Sequence, residues 1–214
     1  MGASIFEILL ALLVLLDLFM LGSSRLGALI RAAGAQSLLV CGTVAVLAHS
    51  GFTWHGWVLL AVTAVVKGLV LPYLMRTALK SANIRRDVEP LLGYALSLLT
   101  GLLLLGAALT AARYLPLPPG ATPWGLAAAF FTAACGLILI AGRTKAITQS
   151  IGYLALENGV YLFGFAVAIE NPLLVEIGIL LDVMVGVFVM GIITLQINRE
   201  FDHIDIMKLR QLRG

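Results

Sequence analysis

The chain has 214 residues, 61% of them hydrophobic and only 12% charged. Soluble domains carry about 25% charged residues, so a water-soluble fold is excluded and a multi-pass membrane protein is indicated. The formal net charge of +3 is no nucleic-acid signal, because the basic residues lie between hydrophobic spans.

Seven apolar spans can be drawn by hydropathy, running Ser4–Leu21, Ala28–His49, Trp57–Leu79, Pro90–Ala112, Trp124–Ala141, Ala146–Ile169 and Pro172–Gln196. The first could be taken for a signal peptide. It lacks a basic leading region and carries Asp17, so it reads as a retained helix. The joints hold turn chemistry: Gly22-Ser23-Ser24, His49-Ser50-Gly51 and the Pro-rich run from Leu115 to Ala121. None is long enough for a soluble domain. The expected fold is an all-α membrane protein of seven transmembrane helices.

The basic residues orient it. Arg25 and Arg31 flank the first joint. Arg76, Lys80, Arg85 and Arg86 fill the third, Arg143 and Lys145 the fifth, and Arg199, Lys208, Arg210 and Arg213 the tail. The opposite side holds only Arg113. The positive-inside rule then puts the N-terminus outside and the C-terminus in the cytoplasm, and this parity works for seven spans but not for six or eight.

A faint repeat runs through the chain. Gly22-Ser-Ser-Arg25 resembles Gly142-Arg-Thr-Lys145. Each leads into a helix with a polar pair, Gln36-Ser37 or Glu157-Asn158, and then into a helix with one central charge, Lys67 or Asp182. This would be a parallel three-plus-three repeat with the fourth helix as spacer, in contrast to the inverted repeats of many transporters.

Lys67, Glu157 and Asp182 each lie about eleven or twelve residues into their helices, near the bilayer midplane at about 1.5 Å rise per residue. A carboxylate at that depth costs roughly 2.5–3.5 kcal/mol on insertion scales, and such residues mark proton or ion paths. The three are the candidate proton-relay residues. A static ion pair used for packing is the alternative. Tyr153, Glu157 and Tyr161 share one helix face at four-residue spacing. The tyrosines could hydrogen-bond the carboxylate or simply pack. Glu176, near the outer end of helix seven, and Asp17, in the inner half of helix one, are secondary candidates. Pro72 removes a backbone bond just beyond Lys67 and is expected to bend the third helix. Gly159 with Phe163 and Gly164, and Gly178 with Gly186, are expected to allow close helix approach.

Cys41 and Cys135 lie in apolar segments and read as small buried hydrophobes. His49, His55 and His203 match no ligand spacing. There is no phosphate loop, no nucleophile with a base, and no metal or cofactor motif.

The combination of residues resembles the hydrogenase-4 component E family of formate hydrogenlyase-type complexes. It is carried by KGLVLPYLM around Lys67 and Pro72, IGYLALENG around Glu157, Val175-Glu-Ile-Gly-Ile179 with Asp182, and the tail from Asp205 to Gly214. The last three helices also resemble the K-type subunit of complex I and the C-type subunit of Mrp antiporters. That subunit has two glutamates on its proton path. Asp182 matches the second, whereas the first falls at Leu154 when Asn158 is aligned. Glu157 stands three residues on, about 60° round the helix. The resemblance implies a four-helix N-terminal part (1–113), a K-like three-helix unit (114–198) and a cytoplasmic amphipathic tail (199–214). It further implies a non-redox subunit of an energy-converting hydrogenase complex in a bacterial or archaeal cytoplasmic membrane. Its partners would be antiporter-like and H-type membrane subunits, a soluble hydrogenase arm and the lipid bilayer. It would bind no cofactor itself. A scaffold subunit or a stand-alone small ion transporter are the alternatives.

Overall fold

In an apolar environment a backbone can satisfy its polar groups only within a helix or a closed barrel. Long apolar runs without strand periodicity therefore fold as helices. A computed structural model of the chain describes residues 2–47, 53–81, 93–117 and 121–167. The described residues hold α1 (Gly2–Gly22), α2 (Leu26–Leu47), α3 (Trp54–Val65), α4 (Leu71–Ser81), α5 (Tyr94–Tyr114), α6 (Pro123–Gly142) and α7 (Ala146–Val167), with no strand among them. A π-helical segment, Val66–Val70, joins α3 to α4, so the two act as one span. Five spans are long and apolar enough to cross a membrane: α1, α2, α3 with α4, α5, and α6. The sixth expected span is the helix α7, which carries Gln149, Ser150, Glu157 and Asn158 along its length. The seventh, with Glu176 and Asp182, lies outside the described residues, as do the tail and Gly178 with Gly186.

The bundle is layered by burial. In the most apolar 18-residue stretch of α2 and of α6, 61% of residues are buried, against 22% in that of α5 and 28% in that of α3 with α4. The inner helices are correspondingly rich in small residues. Ala127, Ala128 and Ala129 of α6 are fully buried. The outer helices turn Leu99, Leu102 and Leu103, or Val58, Val62 and Leu69, outward, which suits a lipid-facing surface.

Glycine sets the closest approach. A Cβ on Gly136 of α6 would stand 2.6 Å from the Gly152 carbonyl oxygen of α7 and would overlap the Leu156 backbone nitrogen. One on Gly159 would overlap the Ala133 backbone. The α6 and α7 backbones therefore touch, as expected for Gly159. Gly164, paired with it from sequence, has nothing within 4 Å of a built Cβ. A second close contact joins α2 to the π segment, where a Cβ on Gly34 would lie 2.9 Å from the Gly68 carbonyl oxygen.

That carbonyl has a chemical reason to face α2. A regular helix would bond Gly68 O to the backbone N–H of residue 72, and Pro72 has none. The Leu71 N–H instead reaches back five residues to Val66 O. Beside Pro72 the backbone at Lys67 thus takes a π turn, of the kind that concentrates at functional sites.

The α6 start is capped. Thr122 is extended, its hydroxyl accepts from the Gly125 N–H at 3.1 Å, and Pro123 follows at the first helical position. Thr122→Ala is expected to lower stability by about 1 kcal/mol, read as a shift in the denaturant midpoint of the purified protein.

Candidate functional site: a buried polar seam

Among the described residues, three charged side chains lie buried within the helices. Lys67, on the π segment, is 4% exposed, and Glu157, mid-α7, is 3% exposed. Their Nζ and Oε1 atoms are 2.8 Å apart. The Lys67 ammonium also lies 5.9 Å from the centre of the Tyr161 ring, one helical turn beyond Glu157. That is within reach of a cation–π attraction. Tyr161 in turn packs on Phe165. Two of the expected relay residues and one of the tyrosines are thus brought together. Tyr153 is half-buried against the hydrophobic core.

Pairing is what makes these charges tolerable. An isolated ion in a low-dielectric interior is costly, and attraction offsets that only in good geometry. The π segment supplies the geometry: Gly68, next to Lys67, lets α2 approach and leaves the ammonium against α7.

Asp17, a secondary candidate from sequence, is fully buried. One carboxylate oxygen accepts from Gln36 Nε2 of α2, and the other accepts from Thr132 Oγ1 of α6 at 2.7 Å. The Gln36 carbonyl oxygen accepts from Asn158 Nδ2 of α7 at 3.1 Å, and the same nitrogen donates to Ser37 Oγ at 3.0 Å. The seam therefore runs Thr132, Asp17, Gln36, Asn158, and Asn158 adjoins Glu157 in sequence. Four helices contribute, and the two polar pairs of the sequence repeat meet at its centre.

Gln36 and Ser37 stood out from sequence only as repeat markers, Asn158 also within the family resemblance, and Thr132 not at all. The available signal for the first three was polarity inside apolar helices, which burial makes costly unless hydrogen-bonded. Thr132 gave none, since a threonine can bond its own helix backbone. Thr43 does so here, to Leu39 O.

At one end of the bundle Arg143 closes the α6–α7 joint. Counted from sequence among joint residues, it is in fact 2% exposed. Its Nη2 donates to the carbonyl oxygens of Leu21 at 3.0 Å and Ser23 at 3.4 Å, and its guanidinium lies 4.6 Å over the Tyr94 ring. The cation satisfies carbonyls left open at the end of α1. It ties α1, α5 and α6 together.

No group of three or more His, Cys, Asp or Glu side chains among the described residues could hold a metal ion. The cavity between α1 and α2 is lined by Leu9, Leu12, Leu15, Leu16, Ala35, Leu38 and Leu39. It offers no polar group to a hydrophilic substrate.

Comparison with known proteins gives consistent matches. The chain is 37% identical over 151 residues to the uncharacterized protein Rv0085 of Mycobacterium tuberculosis, covering 69% of this chain and 68% of that one. It is 32% identical over 152 residues to hydrogenase-4 component E of Escherichia coli K12, covering 70% of each. The Shigella flexneri protein of the same name matches equally. No family model and no solved structure matches.

Proposed function

The chain belongs to the hydrogenase-4 component E family, and from that membership we propose that it is a non-redox membrane subunit of an energy-converting hydrogenase complex. In this role its buried charges take part in moving protons, or Na+, across the membrane as electrons pass through a soluble hydrogenase arm. The observation that carries the proposal is the Lys67–Glu157 pair, two ionisable groups 2.8 Å apart and almost wholly buried. Desolvation and mutual attraction act on the pair in opposite senses. The separation of the pair, and so the balance between the two, depends on how α7 sits against the π segment. Asp182 is the next member of this relay by its resemblance to the K-type subunit, with Glu176 secondary. Antiporter-like and H-type membrane subunits are the proposed neighbours. The chain spans the cytoplasmic membrane with its N-terminus outside.

The test is Glu157→Gln, made in membranes that carry the intact complex, with assembly checked separately by native gel. Turnover-linked ion pumping is expected to fall by about fivefold or more, the lower edge of a typical coupling energy, while the complex still assembles. Asp182→Asn is expected to act in the same direction. A scaffold role has support in the same geometry, because the ion pair and the α6–α7 backbone contact also lock the bundle. It predicts an assembled complex that pumps normally in both variants.

A further inference from the structure

Asp17 is a separate case from Lys67 and Glu157. It is fully buried, and no Lys, Arg or His pairs with it among the described residues. Its two hydrogen-bond partners, Gln36 and Thr132, are neutral. An ionised carboxylate in such surroundings is expensive, and buried charges are paired, neutralised or bound to a cation. The surrounding groups are a carboxylate, a hydroxyl and an amide from α1, α6 and α2, with a second amide and hydroxyl (Asn158, Ser37) behind them. The carboxylate and hydroxyl oxygens, with the Gln36 oxygen once that amide is turned, are the hard donors that suit small hard cations.

We propose that Asp17, Thr132 and Gln36 form a binding site for one small monovalent cation, a proton or Na+, and that its occupancy is passed to Asn158 by reversal of the Gln36 amide. The hydrogen-bond pattern at the Gln36 side of Asp17 gives the reversal its reason. An ionised Asp17 can only accept, which holds Gln36 with its nitrogen toward Asp17 and its oxygen toward Asn158, as observed. A proton carried on Asp17 Oδ1, the oxygen beside Gln36, forms an O–H bond that needs an acceptor, and Na+ needs oxygen ligands. Either occupant favours the Gln36 oxygen turned toward Asp17. The Gln36 nitrogen then faces Asn158, whose amide must present its own oxygen in place of Nδ2. The Ser37 hydroxyl, 3.4 Å from Asn158 Oδ1, can rotate to follow. Asn158 adjoins Glu157, so the signal ends on the helical turn that carries the ion pair.

Among the described residues, few other groups compete for the charge at Asp17. On α6, Cys135 lies close enough to interact electrostatically with it. On α2, Arg31 is exposed and Cys41 buried. On α5, Tyr94, Arg113 and Tyr114 lie at the helix ends. On α1 itself, Glu7 is exposed and ten positions away.

The site does not rest on the proposed pumping role, and its test uses the purified full chain in lipid nanodiscs without turnover. Infrared difference spectra are recorded between about pH 5 and about pH 9, and thermal unfolding is followed against added NaCl, with choline chloride as control. If the occupant is a proton, a protonated-carboxyl band appears in the wild type and is lost in Asp17→Asn, with no specific Na+ effect. If it is Na+, NaCl raises the unfolding midpoint saturably. The effect vanishes in Asp17→Asn and needs about tenfold more Na+ in Thr132→Val, on the scale of a lost supporting ligand. In both cases amide bands change with occupancy, and Gln36→Leu removes that change while Asp17 still responds. Should Asp17→Asn not fold, the wild type compared with Thr132→Val decides, because the carboxyl band or the Na+ midpoint must move. Identical responses in wild type, Asp17→Asn and Thr132→Val overturn the site, as do amide bands indifferent to occupancy. Glu157→Gln is expected to leave the Asp17 response in place, so failure of the relay and failure of this site are read separately.

Discussion

Replacing Lys67 with methionine is expected to destabilise the folded chain by about 3–5 kcal/mol, the usual result of removing one partner from a buried ion pair. The Glu157 carboxylate would keep its 3% exposure and lose the ammonium 2.8 Å away. The methionine roughly preserves the length of the lysine stem, so packing against Tyr161 changes little and the loss is electrostatic. The double variant Lys67→Met with Glu157→Gln is expected to recover most of the stability, because neither side is then left charged and unpaired. A double-mutant cycle on unfolding in nanodiscs measures this directly. If Lys67→Met alone costs less than about 1 kcal/mol, the pair does not hold the bundle together, and the π segment must be kept for another reason.

Gly136→Val is expected to abolish the native α6–α7 pair. Adding side-chain volume to a packed core costs about 1–3 kcal/mol when the surroundings can adjust. Here the new Cβ meets backbone atoms, the Leu156 nitrogen and the Gly152 carbonyl oxygen, which no rotamer change can clear. The helices would have to separate and would forfeit the Gly159–Ala133 approach on the same seam. Folded yield by size-exclusion chromatography is expected to collapse in Gly136→Val. Gly164→Ala and Gly27→Ala, which meet nothing within 4 Å, are expected to be unaffected. Equal yields for all three would mean that the α6–α7 contact is not tight.

Much of this was legible in the chain, and the limits follow from physics. Helix positions could be read because apolar length and turn residues are local properties; α1, α2, α6 and α7 begin and end within a few residues of the spans drawn from hydropathy. The depth of Lys67 and Glu157 could be read by counting along each helix, yet their pairing depends on how α7 lies against the π segment. That is set by Gly34, Gly68 and Pro72 acting together, and no periodicity reports it. Gly159 and Gly164 look alike in sequence, and only the neighbouring helix distinguishes them. Arg143 belonged to a joint by position. Its burial follows from the unsatisfied carbonyls at the end of α1, more than a hundred residues earlier.

The wide sequence separation of the seam partners has a consequence for synthesis. Asn158 meets Gln36 across 122 residues, and Thr132 meets Asp17 across 115. At about 5–20 residues per second, α2 is made roughly 6–24 s before the helix that completes its hydrogen bonds. Asp17 and Gln36, on neighbouring helices of the first hairpin, can shelter one another during that delay. Lys67 is likewise made well before Glu157, its partner 90 residues later in the chain, and passes that interval in the care of the insertion machinery or at the membrane surface. Slowing translation between α4 and α7 would then lengthen the time during which the nascent chain is open to quality-control proteases.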